Sequence, residues 1–303
     1  MARHLRFWIA LILLFAGGVG VRAEALPPLA IAFQTSVIND LPRKDVEISL
    51  RFWIEELSRS LNLPYKPVRF YDSMADLKRD MANGTVNFMV ANSMDVAENF
   101  SLNEIAEGFA GYKSEPDHLL LVVRRDAGIS RAADLIGKRL ALAEYDQLAV
   151  VYLETLIMQG GGKPDEKSLV PIIWEQRSNK LAHRLFFGQA DAALIYRNGY
   201  ESALALNPQI GQRLKVLDDY SLKIRSPHIG LFSAQLRPEH REAIAQAAMK
   251  LNNTARGRQV LQIYLADSLV LTSPRDLAPF QRLLEQHRTL KAGQKGSARK
   301  GNP

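Results

Sequence analysis

The chain has 303 residues, of which 47% are apolar and 23% charged, and its formal net charge is +7. This apolar content is enough for one large core or two medium-sized cores, which excludes a disordered chain as the default. The sequence contains no cysteine, which excludes disulfides, a thiolate nucleophile and a lipid-carrying cysteine.

The first residues, MARHLRFWIALILLFAGGVGVRAEA, are typical of a secretory signal peptide. They combine a basic start, an apolar run over residues 7–15 and the small-residue site Val21-Arg22-Ala23. The apolar run is shorter than the roughly 20 residues that a membrane-spanning helix needs. We therefore expect residues 1–23 to be a signal peptide, cleaved after Ala23, and the mature protein to be soluble in the periplasm. A retained membrane anchor is the alternative.

Most of the positive charge lies at the two ends of the chain. Cleavage after Ala23 removes three arginines and lowers the net charge from +7 to +4. The tail after His287, RTLKAGQKGSARKGNP, carries five basic residues and no acidic one, so the body of the protein is nearly neutral. A basic tail on a neutral body argues against a nucleic-acid-binding domain. We expect residues 289–303 to form a disordered basic tail.

Strands and helices alternate along the first part of the mature chain, and glycine or proline ends each helix. The predicted elements are a strand over 29–35, a helix over 45–63, a strand over 65–73, a helix over 74–84 and a strand over 86–93. This alternation predicts a parallel sheet with right-handed crossovers.

From Asp117 the chain repeats the same order of elements. These are a strand over 117–126, a short helix and a strand within 130–144, a helix over 147–161, a strand over 168–176, a helix over 178–188 and a strand over 190–198. The segments NGTVNFMVANSMD and FGQADAALIYRNGYE stand at the same step of the two halves, each with a glycine, a strand and a polar loop. The sequence therefore predicts two similar α/β lobes.

No third lobe begins after Tyr220. Residues 221–235 are typical of a strand that crosses between lobes, two helices are predicted within 237–267, and another over 273–290 has Ser273 as its N-cap. The first lobe would then comprise residues 25–116 plus 228–288, and the second residues 117–227. Two crossings, near 112–120 and 220–230, would form a hinge.

The order of these segments resembles the phosphate/phosphite/phosphonate-type periplasmic substrate-binding proteins of ABC transporters. YDSMADLKRDMANGTVNFMVANSMDV is similar to the family's helix, glycine, strand and loop, and AADLIGKRLALAE is similar to its DLKGKRVAF step. HRLFFGQADAALIY and SPHIGLFSAQLRPEHREAIAQAAMKL look like its next helix–glycine–strand step and its return strand and helix. The resemblance implies a two-lobed type II periplasmic-binding fold, with a mainly parallel sheet flanked by helices in each lobe and two hinge strands. It also implies a ligand held between the lobes and delivered to an ABC permease in the inner membrane.

Polar residues follow the predicted strands, at the strand ends where open α/β sheets bind ligands. Hydroxyl and amide side chains recur there, although the same residue types also cap helices and make turns. Arg177 and Arg197 could together clamp a carboxylate or phosphate group. The candidate ligand-binding residues are Gln34, Thr35, Ser36, Ser73, Asn92, Ser93, Tyr145, Asp146, Gln147, Arg177, Ser178, Asn179, Tyr196 and Arg197.

One turn departs from the family's pattern. Where phosphonate binders usually have a turn rich in serine and threonine, this chain has EYDQLA, residues 144–149. Glu144 and Asp146 would repel a phosphonate dianion unless they are paired. Acidic side chains opposite Arg177 and Arg197 favour a ligand with a cationic and an anionic end. Alternatively, Asp146 caps the following helix and points away from the cleft.

The sequence shows no motif of a common enzyme or metal site, such as GxSxG, a P-loop, a dinucleotide glycine fingerprint or HExxH. We therefore expect a monomeric binding protein, without catalytic residues, cofactor or metal, that captures a small anionic or zwitterionic ligand. A sensory binding protein that signals to a membrane histidine kinase or a similar partner is the alternative, because no residue distinguishes the two roles.

Overall fold

The computed structural model describes residues 27–38, 43–112, 114, 117–163, 172–224, 227–263 and 266–300. The predicted signal peptide lies outside the described residues. Within the ranges just given, no helix is both long and apolar enough to cross a membrane.

The described chain folds into thirteen strands and ten α-helices, joined in several places by short 3₁₀ turns. The strands are β1 (Ile31–Gln34), β2 (Arg69–Tyr71), β3 (Phe88–Asn92), β4 (Ile105–Ala106), β5 (Gly108–Tyr112), β6 (Asp117–Arg124), β7 (Leu140–Ala143), β8 (Ile173–Glu175), β9 (Ala192–Tyr196), β10 (Leu214–Val216), β11 (Leu222–Ile224), β12 (His228–Ser233) and β13 (Ser268–Thr272). The helices are α1 (Arg43–Leu61), α2 (Met74–Ala82), α3 (Ser93–Asn99), α4 (Gln147–Gln159), α5 (Leu181–Phe186), α6 (Arg197–Leu206), α7 (Gln209–Arg213), α8 (Pro238–Lys250), α9 (Ala255–Ile263) and α10 (Ala278–Lys300).

Two separate sheets define the two lobes. The first has the strand order β2-β1-β3-β12-β4, and the second has the order β10-β6-β9-β7-β8, with β11 also paired to β6. A ladder of β5 and β13 accompanies the first sheet. The chain passes from the first sheet to the second between β5 and β6, and returns between β11 and β12. The two-lobed α/β fold predicted from the sequence is confirmed.

Each sheet combines parallel and antiparallel pairs. β1 is parallel to both β2 and β3, and β7 is parallel to both β8 and β9. The strands next to the crossings differ: β12 is antiparallel to β3, and β6 is antiparallel to β9. In each sheet the parallel strands lie on one side and the antiparallel strands on the other, so the sheets are mixed rather than mainly parallel as predicted.

The helices form where apolar spacing and capping residues predict them. In α1 the side chains of Val46, Leu50 and Leu57 are buried at helical spacing, as expected for a helix that covers one face of a sheet. Glycines follow α2 and α5 with positive φ angles, 73° at Gly84 and 71° at Gly188, a conformation that glycine adopts at little cost. The two segments that stand at the same step of the sequence therefore share the same local structure.

The prediction of a disordered tail is wrong for residues 289–300, because α10 continues to Lys300. Lengthening an existing helix adds one hydrogen bond per residue, so good helix formers such as Lys, Arg, Ala and Gln extend α10 even where the sequence is basic. The tail is also anchored, since Gln294 Nε2 donates a hydrogen bond of 2.6 Å to the carbonyl oxygen of Gly162. Residues 301–303 lie outside the described residues.

Candidate functional site

Polar side chains collect where strand ends of each sheet meet the crossing strands. In the first lobe, β1 and β3 end at Gln34 and Asn92, and His228 at the start of β12 pairs with Asn92. In the second lobe, the parallel strands β7, β8 and β9 end at one edge, next to the beginning of β6, where Leu119 pairs with Tyr196. These edges carry most of the predicted ligand-binding residues.

A network of amide groups surrounds one carboxylate in the first lobe. The side chain of Gln34 accepts a hydrogen bond of 2.8 Å from the backbone N–H of Asn92, and its Nε2 donates to Asp95. Asn92 Nδ2 donates to Ser36 Oγ at 2.8 Å and to Asp95 Oδ2 at 3.4 Å. The structure thus brings the predicted residues Gln34, Ser36 and Asn92 together around Asp95, which is not among the residues predicted from the sequence.

Burial dominates the ionisation of Asp95. It raises the pKa of this carboxyl group, and the hydrogen bonds from Gln34 and Asn92 only partly offset that effect. A half-buried carboxylate whose hydrogen-bond partners are neutral amides readily takes up a proton or attracts a cation.

A second carboxylate lies at the start of α4 in the other lobe. Asp146 is the N-cap of that helix and accepts a hydrogen bond of 3.0 Å from the backbone N–H of Ala149, and Tyr196 Oη donates to it at 3.4 Å. Asp146 therefore caps the helix without leaving the strand edge that carries Tyr196. Gln147, the first residue of the helix, is half-buried.

The charge of Asp95 in the first lobe acts on Asp146 in the second. Burial raises the pKa of Asp146 to about 6, and the negative charge of Asp95 acts in the same direction, although hydrogen bonds from Ala149 and Tyr196 act in the opposite one. Asp95 belongs to α3 of the first lobe, and Asp146 precedes α4 of the second. The cleft between the lobes is therefore flanked by two acidic side chains, one from each side.

Tyr145 projects from the same turn. Its backbone has a φ of 61°, which is uncommon for a residue other than glycine, and its side chain is 70% exposed. Sparsely populated backbone conformations of this kind occur often at binding sites.

The two predicted arginines are exposed and make different contacts. Arg197, the first residue of α6, lies 3.2 Å from His118 Nδ1 through its guanidinium group. Burial lowers the pKa of His118, and the positive charges of Arg197 and Lys223 lower it further. Arg177 precedes the 3₁₀ turn Ser178–Lys180, in which Ser178 is half-buried and Asn179 exposed. The buried carboxylate of that region, Glu175, pairs instead with Arg184 at 2.8 Å.

A family model described as "ABC transporter, phosphonate, periplasmic substrate-binding protein" matches residues 37–277 of this chain. The chain belongs to this family. The resemblance predicted from the sequence is thereby confirmed, and the family consists of periplasmic proteins that supply a ligand to an ABC permease.

Solved structures show the same fold at low sequence identity. The protein XAC2383 of Xanthomonas citri, bound to chloride, has a TM-score of 0.66 at 10% identity, covering 88% of this chain and 99% of that one. PhnD1 from Prochlorococcus marinus, in complex with methylphosphonate, has a TM-score of 0.62 at 12% identity, covering 87% and 98%. A binding protein component of an ABC phosphonate transporter from Pseudomonas aeruginosa, PA3383, has a TM-score of 0.60 at 14% identity, covering 88% and 89%. These likenesses support the type II periplasmic-binding fold. Among curated proteins, none matches this sequence.

Three of the predicted residues of this phosphonate-family protein have local structural roles. Ser73 is the N-cap of α2, where its hydroxyl accepts a hydrogen bond of 3.3 Å from the backbone N–H of Asp76. Ser93 is buried, and its backbone N–H donates to the carbonyl of Pro227 at 2.8 Å, which ties α3 to the returning crossing. Thr35 starts the 3₁₀ turn after β1 and is half-buried.

A cavity lies at the crossing strands, lined by β5, β11, β12, β13, the first turns of α10, Ser93 of α3 and Leu148 of α4. Among the predicted ligand-binding residues only Ser93 lines it, and most of its wall is apolar. Asp95 and Asp146 are not among its lining residues, although Ser93 and Leu148 each lie two residues from one of them, and we do not assign the charged groups of the ligand to it.

Asp95 and His118 are not among the residues predicted from the sequence, because the predicted site was confined to the loops directly after strands. Asp95 stands in the first turn of α3, three residues beyond the end of β3, and His118 lies at the beginning of a strand. The sequence did contain a signal for Asp95. It stands two residues after the end of the predicted strand over 86–93, just as Asp146 stands two residues after the predicted strand that ends at residue 144.

Proposed function

We propose that this protein captures a small phosphonate-like ligand that carries a cationic group, holds it between the lobes and delivers it chemically unchanged to an ABC permease. The observation that carries the ligand class is the position of Asp95 and Asp146 on opposite lobes, where the charge of Asp95 raises the pKa of Asp146. Cleavage of residues 1–23, a periplasmic location and a monomeric state belong to the same proposal. Signalling to a membrane kinase stays an alternative prediction.

The acidic pair favours a cation for a simple electrostatic reason. The hydrogen-bond partners of Asp95 are the amides of Gln34 and Asn92, and those of Asp146 are a backbone N–H and the phenol of Tyr196, all of them uncharged. The charge of Asp95 raises the pKa of Asp146, so the two negative charges repel one another. An ammonium group between the carboxylates would replace this repulsion by two attractions, and would draw the lobes together.

The anionic end of the ligand would find its partners on the second lobe. Arg197 is exposed beside the edge that carries Tyr196, and a guanidinium group binds phosphonate oxygens with two parallel hydrogen bonds. The exposed Arg177 stands at the end of β8, a neighbouring strand of the same edge. The cleft would thus offer opposite charges to the two ends of an aminoalkylphosphonate.

A comparison of two ligands that differ only in the amine tests the proposed class. We expect 2-aminoethylphosphonate to bind the protein at pH 7.5 at least about tenfold more tightly than ethylphosphonate, because one charge-assisted hydrogen bond contributes about 1.5–3 kcal/mol. Isothermal titration calorimetry measures both affinities. In Asp95→Asn the preference should fall, while Asp219→Asn, which neutralises an exposed carboxylate of the 3₁₀ turn Asp218–Tyr220, should keep it.

Equal affinities for the two ligands would overturn the cationic class and leave phosphonate capture intact. Binding of neither ligand would overturn the proposed ligand altogether.

The role of Arg197 can be tested separately, by ligand affinity and by the pKa of His118. We expect Arg197→Ala to weaken phosphonate binding about tenfold, in line with the loss of a hydrogen bond to a charged group, and to raise the pKa of His118, which the charge of Arg197 lowers. NMR titration of the His118 ring checks the second effect without any ligand. Arg177→Ala is the matched variant, since this arginine is exposed on the same lobe but does not act on His118. A raised His118 pKa with unchanged affinity would remove Arg197 from the binding site.

A further inference from the structure

The last helical segment places side chains in the cores of both lobes. Leu277, at the end of the 3₁₀ turn Pro274–Leu277, is fully buried in a first-lobe cluster that includes Met89 and Leu231. Three residues later, Phe280 joins a cluster formed mostly by second-lobe residues, together with Leu283 and Leu284. The chain thus passes from one core to the other within a single turn of helix.

Polar contacts further attach α10 to the second lobe. His287 Nε2 lies 2.6 Å from Glu154 Oε2 of α4, with only 12% of the histidine side chain exposed. Gln294 Nε2 donates to the carbonyl oxygen of Gly162, just beyond the end of α4. Along about two-thirds of its length, α10 is therefore fastened to the helix that begins after Asp146.

The same helix covers the inner ends of both cleft helices. Its cluster includes Met94, the neighbour of Asp95 in α3, and Leu148, two residues after Asp146 in α4. Any change in the distance between the two carboxylates must therefore repack the side chains beneath α10.

Space for such repacking exists next to the point where the chain changes lobe. The cavity at the crossing strands is lined by Phe280 and Leu283 of α10, by Val270 of β13 and by Ile224 of β11. Close-packed interiors resist displacement, whereas side chains beside a cavity can shift without opening a new void.

We propose that α10 is a third connection between the lobes, a strap that moves with the second lobe and pivots on the first lobe at residues 277–280. This assigns α10 to the second lobe, in place of the predicted first-lobe assignment up to residue 288. The proposal does not depend on the identity of the ligand.

Distances between spin labels test which lobe α10 follows. Because the natural chain has no cysteine, pairs of introduced cysteines can be labelled without background. Suitable exposed positions are Glu239 in α8 of the first lobe, Glu201 in α6 of the second lobe and Gln286 in α10. Three double-cysteine variants then report the pairs 239–201, 239–286 and 201–286 by double electron–electron resonance on ligand-free protein.

We expect a narrow distance distribution for 201–286, and distributions at least about twice as broad for 239–286 and 239–201, because hinge motion separates the lobes but not α10 from the second lobe. A narrow 239–286 distribution with a broad 201–286 distribution would overturn the proposal. Three equally narrow distributions would also overturn it, since no pivot at residues 277–280 would then move.

The hydrogen bond between His287 and Glu154 provides an independent check. His287→Gln should broaden the 201–286 distribution, because it weakens the attachment to Glu154, while Arg288→Gln, at the next and exposed position, should leave it unchanged. Equal behaviour of the two variants would contradict a role for His287 in holding the strap.

Discussion

Asp146→Asn is expected to stabilise the ligand-free protein at neutral pH by about 3 kcal/mol. Burial and Asp95 raise the pKa of Asp146 from 3.8 to about 6, and a tenfold change in proton affinity corresponds to about 1.4 kcal/mol. A carboxyl group with a raised folded-state pKa contributes stability that is fully present below pH 3.8 and is lost as the pH rises through about 6. Asparagine caps helices as well as aspartate does, so the variant removes the charge and keeps the hydrogen bond to Ala149.

Urea unfolding of both proteins at several pH values measures this effect. The stability difference should be largest at pH 7.5 and should shrink as the pH falls to 4. Asp134→Asn is a control of opposite sign, because hydrogen bonds from Ser130 lower the pKa of Asp134 to about 2, so this substitution should destabilise the protein at neutral pH. A stability difference for Asp146→Asn that does not change between pH 4 and 7.5 would show that the charge of its carboxyl group does not destabilise the fold.

The same variant should lose the preference for an amine, so stability and binding would change in opposite directions. Such a trade-off is expected where a site keeps an unfavourable charge for its ligand. An inert surface position would show neither effect.

Much of the fold could be predicted because helix and strand signals were local. The apolar spacing of α1, the glycines after α2 and α5, and the capping residue Ser273 each act within a few residues, and all of them occur as predicted. The course of α10 could not be predicted in the same way. Whether Phe280 enters one core or the other depends on contacts with α4, more than 100 residues earlier in the sequence.

The candidate site was predictable only at the level of strand ends. Gln34, Ser36 and Asn92 do lie together because the ends of parallel strands share an edge. The effect of Asp95 on Asp146 depends on how the two lobes face each other, which the order of elements does not determine. The sequence indicated an acidic turn at Asp146 and could not show what stands opposite it.

Gly230→Ala is expected to destabilise the protein by at least about 3 kcal/mol, beyond the usual range for an overpacked core. A Cβ atom at Gly230 would lie 2.0 Å from the carbonyl oxygen of Phe109 and 2.8 Å from Phe88 Cζ. The first of these is a backbone atom, which cannot rotate away as a side chain can. The β5–β13 ladder would have to lift from β12, and the hydrogen bond of 2.5 Å from Thr272 Oγ1 to the carbonyl oxygen of Gly230 would break.

The displaced ladder would also open an aromatic cluster beneath it. The ring of Phe88 stacks on Phe109 with centroids 4.4 Å apart and contacts Phe232 at 4.8 Å, and all three rings are buried. Gly199→Ala is the matched control, since its added Cβ would meet only Ile195 at 3.8 Å and alanine is favoured over glycine by about 1 kcal/mol within a helix such as α6. Chemical denaturation should therefore show a lower midpoint for Gly230→Ala and an equal or higher midpoint for Gly199→Ala. The strand β12 leads the chain back from the second lobe, and its contact with β5 and β13 fixes its position. If the Gly230→Ala protein has wild-type stability, this close contact does not exist.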